Sequence, residues 1–324
     1  MKRALAILMP LVGLAIFAAI VVRTGPDRIA GILRGIDPVQ LLWAPLIVAA
    51  ISIVRGARWR YVIRSLGMEY GLRRSTSVWM IGFFASSVTP GKAGDALRGL
   101  YLRTDTGRPL GETLLTVFVD RLWDLGFILV GGVATALIFS RQYIQIPSAP
   151  LFAFGAAAIA AAAAIATNRR WMRALLKPVF SVLVPARHRD GWSSGFHTFY
   201  DALRVYGASR RRIAVMAGMT LACWALIFAL AVYVSLLLSI PVSPAYIVLM
   251  MPIVTLVELI PFSISGLGTR DATVIYFFSV VGVGSAEAVG FSIVYVLIGT
   301  YLTALAGFAL WVRHPVRWPR GGQS

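Results

Sequence analysis

The chain has 324 residues, 58% of them hydrophobic and 14% charged, with a formal net charge of +18. Several apolar runs of 17 residues or more exclude an ordinary soluble domain, because about 20 apolar residues span a hydrocarbon core of roughly 30 Å. The basic excess is divided among several loops instead of forming one patch. That argues against a nucleic-acid partner and for the collection of Lys and Arg on the cytoplasmic side of a membrane protein.

In chain order, the apolar runs predict six full spans at about 5–22, 38–54, 112–139, 151–167, 213–240 and 288–312. Met1 to Val22 also has the outline of a signal peptide, but its apolar run is long and no clear small-x-small cleavage site follows. Segment 55–74 holds six basic residues (Arg55, Arg58, Arg60, Arg64, Arg73 and Arg74), segment 168–212 holds ten, and the tail adds Arg313, Arg317 and Arg320. Segments 23–37 and 140–150 hold three and one, and 239–245 and 279–287 hold none. Six crossings with both termini, 55–74 and 168–212 in the cytoplasm satisfy this distribution. The stretch from Arg55 through Arg58, Trp59, Arg60 and Tyr61 reads as a span end passing into an amphipathic segment at headgroup level.

Two apolar runs, 75–89 and 245–260, are short for a span and end at Pro90 and Pro261. Each is followed by a glycine-rich charged tip, "TPGKAGDALR" or "PFSISGLGTRD", and a return limb. They predict two re-entrant hairpins, at about 75–103 and 245–283, within a single transmembrane domain over 1–324. Irregular backbone at membrane depth needs protein or a watery cavity around it. The charge distribution puts the ends of the first hairpin in the cytoplasm and those of the second outside. A similar junction follows each, "GETLL" with Glu112 and "SAEAVG" with Glu287. This is the plan of an inverted repeat, a transporter feature; two ordinary short spans in a tilted bundle are the alternative.

Charges inside a bilayer imply pairing or function. Lys92, Asp95 and Arg98 belong to the first tip. Asp120 and Asp124 share one face of the third span at i and i+4, with Arg121 adjacent, roughly 12–18 Å along that helix. Glu258, Arg270 and Asp271 belong to the second hairpin. Arginines and free N–H groups at a helix start suit an anion such as phosphate. Asp95, Asp120, Asp124, Glu258 and Asp271 are candidate proton or cation carriers. Phe83, Phe84, Phe262 and Tyr276 are candidate groove walls. Cys223 is the only cysteine and lies in an apolar run, so no internal disulfide or CxxC site exists. His188, His197 and His314 lie in polar loops or the tail. No nucleotide, zinc-protease, nucleophile-elbow or calcium-loop motif is found, and no metal or cofactor is expected.

The stretches "GARWRYVIRSLG", "SSVTPGKAGDALRGLYL", "VDRLWDL" and "PFSISGLGTRDATVIYFF", in this order over about 50–312, resemble the lysylphosphatidylglycerol synthase transmembrane-region family, also called flippase-like integral membrane proteins. The resemblance implies lipid translocation by a helical bundle with re-entrant elements. By motif match it points to Lys92, Asp95, Arg98, Asp120, Arg121, Arg270 and Asp271. Bifunctional members carry a C-terminal soluble aminoacyl-transferase domain. This chain ends at Ser324, soon after its last span, so lysyl transfer is not expected.

The expected function is that of a non-enzymatic flippase or facilitator in a bacterial inner membrane. It would move a lipid with an anionic headgroup (phospholipid, polyprenyl-phosphate-linked or hopanoid-type) between leaflets, and a homodimer is compatible with it. The alternatives are an intramembrane enzyme acting on a lipid headgroup, and a non-catalytic membrane partner of a glycosyltransferase.

Overall fold

The structure, a computed structural model, describes residues 15–141, 168, 170, 209–259 and 266–315. Among these residues every regular element is helical. They are α1 (Ala15–Thr24), α2 (Pro26–Arg34), α3 (Pro38–Leu41), α4 (Ala44–Ser65), α5 (Leu72–Ser87), a 3-10 turn (Pro90–Ala96), α6 (Leu97–Thr106) and α7 (Leu110–Phe139). After residue 208 follow α8 (Arg210–Leu237), α9 (Pro244–Leu259), α10 (Thr269–Val280), α11 (Ser285–Val296) and α12 (Thr303–Arg313), with a wide π-helical turn at Leu297–Leu302.

Among the described residues, four helical stretches are long and apolar enough to cross a membrane: Pro38–Ser65, Leu110–Phe139, Arg210–Leu237 and Ser285–Arg313. They correspond to the second, third, fifth and sixth predicted spans. The second does not stop at 54: the helix runs on to Ser65 and carries Arg55 and Arg58 with it. The fourth predicted span, nearly all of the 168–212 loop, most of the first span, and the Pro261–Phe262 tip lie outside the described residues.

Local chemistry sets the helix ends. Gly107 closes α6 with φ 69°, the left-handed conformation that glycine adopts without a Cβ clash, and Pro109 leads into α7. The Ser209 hydroxyl accepts from the Arg212 N–H at the start of α8. The Gly268 N–H, ahead of α10, donates to Asp271 Oδ2 at 2.7 Å.

α5 and α6 fold back on each other. Arg74, near the start of α5, grips Asp105, near the end of α6, through Nε at 2.7 Å and Nη2 at 2.9 Å. The Tyr70 hydroxyl donates to the same carboxylate at 2.5 Å. Burial, and then Asp105, push the Tyr70 phenol above its ordinary range, so it keeps its proton. At the closed end Gly94 lies flat on α5: a methyl there would stand 2.2 Å from the carbonyl of Ala85. Lys92 takes φ 56°, a conformation that costs a residue with a Cβ roughly 1–3 kcal/mol. α9 and α10 pair in the same sense, the Tyr246 hydroxyl donating to the Phe277 carbonyl at 2.5 Å.

The order long helix, short helix, short helix, long helix therefore occurs twice among the described residues, in 44–139 and in 210–313. Each half has its own apolar core. Trp59, Ile63, Trp79, Tyr101 and Val117 pack in the first. Val234, Met250, Phe278 and Phe291 pack in the second, joined by Ala44 and Val48 of α4 and by Phe139 of α7. Both α4 and α7 thus run from one core to the other, in opposite directions. Their charged residues fall between the two cores.

Candidate functional site

Arg55 and Arg58 lie at i and i+3 on α4, and Asp120 and Asp124 at i and i+4 on α7, so each pair shares a helix face. At 1.5 Å per residue, Asp120 and Asp124 stand about 15 and 21 Å along α7, near its middle. Arg58 donates from Nε to Asp120 Oδ1 and from Nη1 to Asp124 Oδ1, both at 2.8 Å, and its Nη1 also reaches Thr220 Oγ1 of α8 at 3.3 Å. Arg98 of α6 donates from Nη2 to Asp120 Oδ2 at 2.9 Å and from Nη1 to both oxygens of Asp95 at 3.3 Å. Arg121 donates from Nε to Asp95 Oδ2 at 2.5 Å and lies 3.5 Å from Asp124 Oδ2. The links Asp124–Arg58–Asp120–Arg98–Asp95–Arg121–Asp124 close a six-membered ring of alternating charge.

Arg55 is attached outside this ring, its Nη1 3.0 Å from Asp124 Oδ2. Its guanidinium lies 5.7 Å from the ring centroids of both Trp79 and Trp224, a cation–π arrangement. The indole N–H groups of both tryptophans are buried and have no partner among the described residues. Arg98 lies 4.4 Å over the Trp59 ring. Among the described residues, four guanidinium groups thus meet three carboxylates, leaving one unit of positive charge between the two apolar cores. Arg58 and Arg98 are fully buried, whereas a third of the Arg121 side chain is exposed. Gly82 of α5 makes room for the ring: a methyl there would stand 2.3 Å from Arg98 Cγ.

Arg270 and Asp271 form a second buried cluster in the other half. Arg270 donates from Nη2 to Asp271 Oδ1 at 2.8 Å and from Nε to Ser292 Oγ at 3.0 Å, and the Ser292 hydroxyl bonds the same Asp271 oxygen. The halves meet where Lys92 Nζ, on the first hairpin, stands 3.5 Å from Glu258 Oε1 at the end of α9.

The structure therefore divides the predicted site residues. Asp95, Arg98, Asp120, Arg121 and Asp124 come together, Arg270 and Asp271 are grouped apart from them, and Lys92 and Glu258 touch across the two hairpins. Arg55, Arg58 and Trp59, read from sequence as headgroup-level anchors, are buried instead, with Arg58 and Trp59 at 0% exposure. A signal for them existed in charge balance: three aspartates set against only Arg98 and Arg121 call for another cation. Phe83 stacks on Trp79 at 5.4 Å, and Phe84 packs against Phe308 at 5.2 Å. Tyr276 is exposed, and Phe262 lies outside the described residues.

Long apolar helices around a buried ionic ring, with two helical hairpins in two similar halves, define a multi-pass integral membrane protein. The chain belongs to the family described as Lysylphosphatidylglycerol synthase TM region, whose model matches residues 10–307. It is 23% identical over 312 residues to a UPF0104 membrane protein of Methanothermobacter thermautotrophicus, covering 92% of each chain. It is 28% identical over 113 residues to a UPF0104 membrane protein of Methanocaldococcus jannaschii, an alignment covering 34% of each. It is also 22% identical over 274 residues to Glycosyltransferase AglD of Haloferax volcanii, covering 76% of this chain and 44% of that protein.

Proposed function

We propose that the protein is a lipid flippase or facilitator, and not an enzyme, which passes the anionic headgroup of a membrane lipid between leaflets. The observation that carries this reading is the buried cluster of the neutral ring and Arg55, with one unit of excess positive charge and with Arg121 as its most exposed member. A headgroup anion entering there would neutralise that charge in surroundings that screen it weakly. The two hairpins read as re-entrant elements. The helices of the first are 16 and 10 residues long, at most about 24 Å, and its charged open end carries Arg60, Arg64, Arg73, Arg74, Arg103 and Arg108. Those residues support a cytoplasmic position for that end, in a cytoplasmic membrane. The engagement of each ring aspartate by at least two arginines supports transport over headgroup chemistry, since a general acid or base must exchange its proton.

The test is leaflet exchange in reconstituted vesicles, comparing labelled phosphatidylglycerol with labelled phosphatidylcholine. Faster exchange of the anionic lipid than in protein-free vesicles is expected. No exchange of either, by folded protein, counts against the reading. The alignment with part of AglD favours one second reading, a membrane partner of a glycosyltransferase. Co-purification of such an enzyme, with no exchange activity, would support it.

A further inference from the structure

The carboxylates of the candidate site differ in how firmly they are held. Asp95 meets Arg98 and Arg121, Asp120 meets Arg58 and Arg98, and Asp124 meets Arg55, Arg58 and Arg121. Asp271 meets Arg270, Ser292 and the Gly268 N–H. Protonating any of these breaks several charge-assisted bonds. Glu258 has one charged partner among the described residues, Lys92, at 3.5 Å, and both side chains are partly exposed, 21% for Glu258 and 43% for Lys92.

Glu258 also stands where the halves meet. A methyl at Gly266 would lie 2.5 Å from Glu258 Cγ and 3.2 Å from Cβ of Arg270, so α10 brings Arg270 beside it. Tyr295 of α11 is within electrostatic reach of Glu258, Arg270 and Arg55. α7 meets α9 through Gly131 and Gly132, and its Asp120, Arg121 and Asp124 are engaged in the ring. On α8, Cys223 is near Arg55 and Arg58, and Tyr233 donates to the Gln40 carbonyl.

Resting on the flippase reading, we infer that Glu258 is the proton-carrying group of this protein, and that its protonation frees Lys92 to bind the lipid phosphate. A proton from water on one side joins Glu258 Oε1. The carboxyl becomes neutral, the ion pair with Lys92 breaks, and Lys92 keeps its charge. The phosphodiester monoanion of the lipid then pairs with Lys92. The site is neutral before and after, and the proton leaves to water on the other side when the lipid is released. Proton and lipid anion bind together, so a proton gradient drives the lipid.

The full chain in nanodiscs tests this with two readouts. The first is infrared absorption of the protonated carboxyl between pH 8 and pH 5. The wild type should show a band that E258Q lacks, and in K92M, with the neighbouring cation gone, the band should appear at higher pH. The second is binding of dihexanoyl-phosphatidylglycerol. Wild-type affinity should rise as the pH falls from 8 to 5, by up to about tenfold per pH unit, because one proton is taken up with each lipid anion. E258Q should bind without pH dependence, and K92M should bind weakly throughout. E69Q, a change at an exposed residue paired with Arg64, should keep the wild-type profile. A band that persists in E258Q, or a wild-type binding profile in E258Q, overturns the inference. If the band is lost in E258Q but the wild type binds no phosphatidylglycerol at any pH, the flippase reading and the lipid step fall together and the proton site stands.

Discussion

At the scale of single residues, the ring is a set of charges that tolerate no missing member. Removing one partner of a buried pair typically costs about 3–5 kcal/mol, because the other charge is left buried and uncompensated. Arg58 is the member with most at stake, since it joins Asp120 and Asp124 and reaches α8 through Thr220. Arg58→Ala should therefore lower the melting temperature of the purified protein sharply, whereas Arg64→Ala, at an exposed pair with Glu69, should leave it nearly unchanged. Equal melting temperatures, followed by tryptophan fluorescence, would mean that Arg58 is solvated. Gly82→Ala tests the same ring from its rim. The added methyl would collide with Arg98 Cγ, and a forced shift in a packed interior costs about 1–3 kcal/mol. Its stability loss should shrink when combined with Arg98→Ala, because the collision partner is then absent; additive losses would contradict the contact.

At the scale of elements, each short hairpin is tied near its open end. In the first, Asp105 receives both Arg74 and Tyr70, and Gly94 lets the turn lie against α5. Single cysteines at Gly67 and Gly107, in a Cys223→Ser background, should react with an impermeant thiol reagent from the same side of the membrane. Reaction from opposite sides would show that α5 and α6 together cross the bilayer. Tyr70→Phe should cost about 1 kcal/mol, the net worth of one hydrogen bond, because Arg74 still holds Asp105. A much larger loss would mean that the phenol, and not the ion pair, closes the hairpin.

At the scale of the whole molecule, α4 and α7 each pass through both apolar cores, so the charged layer belongs to neither half alone. The excess charge resides at Arg55, between Trp79 of the first half and Trp224 of the second. Arg55→Gln would make the layer neutral. In reconstituted vesicles it should reduce the preference for phosphatidylglycerol over phosphatidylcholine by about tenfold or more, equivalent to roughly 1.4 kcal/mol. Unchanged selectivity in folded protein would remove the excess charge from the account of recognition.

The sequence by itself determined the class of the protein, four of its long helices to within a few residues at most ends, and most members of the ring. Hydrophobic run length and intramembrane charge are local properties that need no partner to be read. The i, i+4 spacing of Asp120 and Asp124 was enough to place them on one face. Only the tertiary structure decided where α4 ends and what Arg55 and Arg58 do. A run of apolar residues that gives way to arginine looks the same whether those arginines meet headgroups or aspartates 62 to 69 residues away. Likewise, Lys92 and Glu258 are 166 residues apart in the chain. Their contact depends on how two hairpins pack, and no periodicity within either one encodes it.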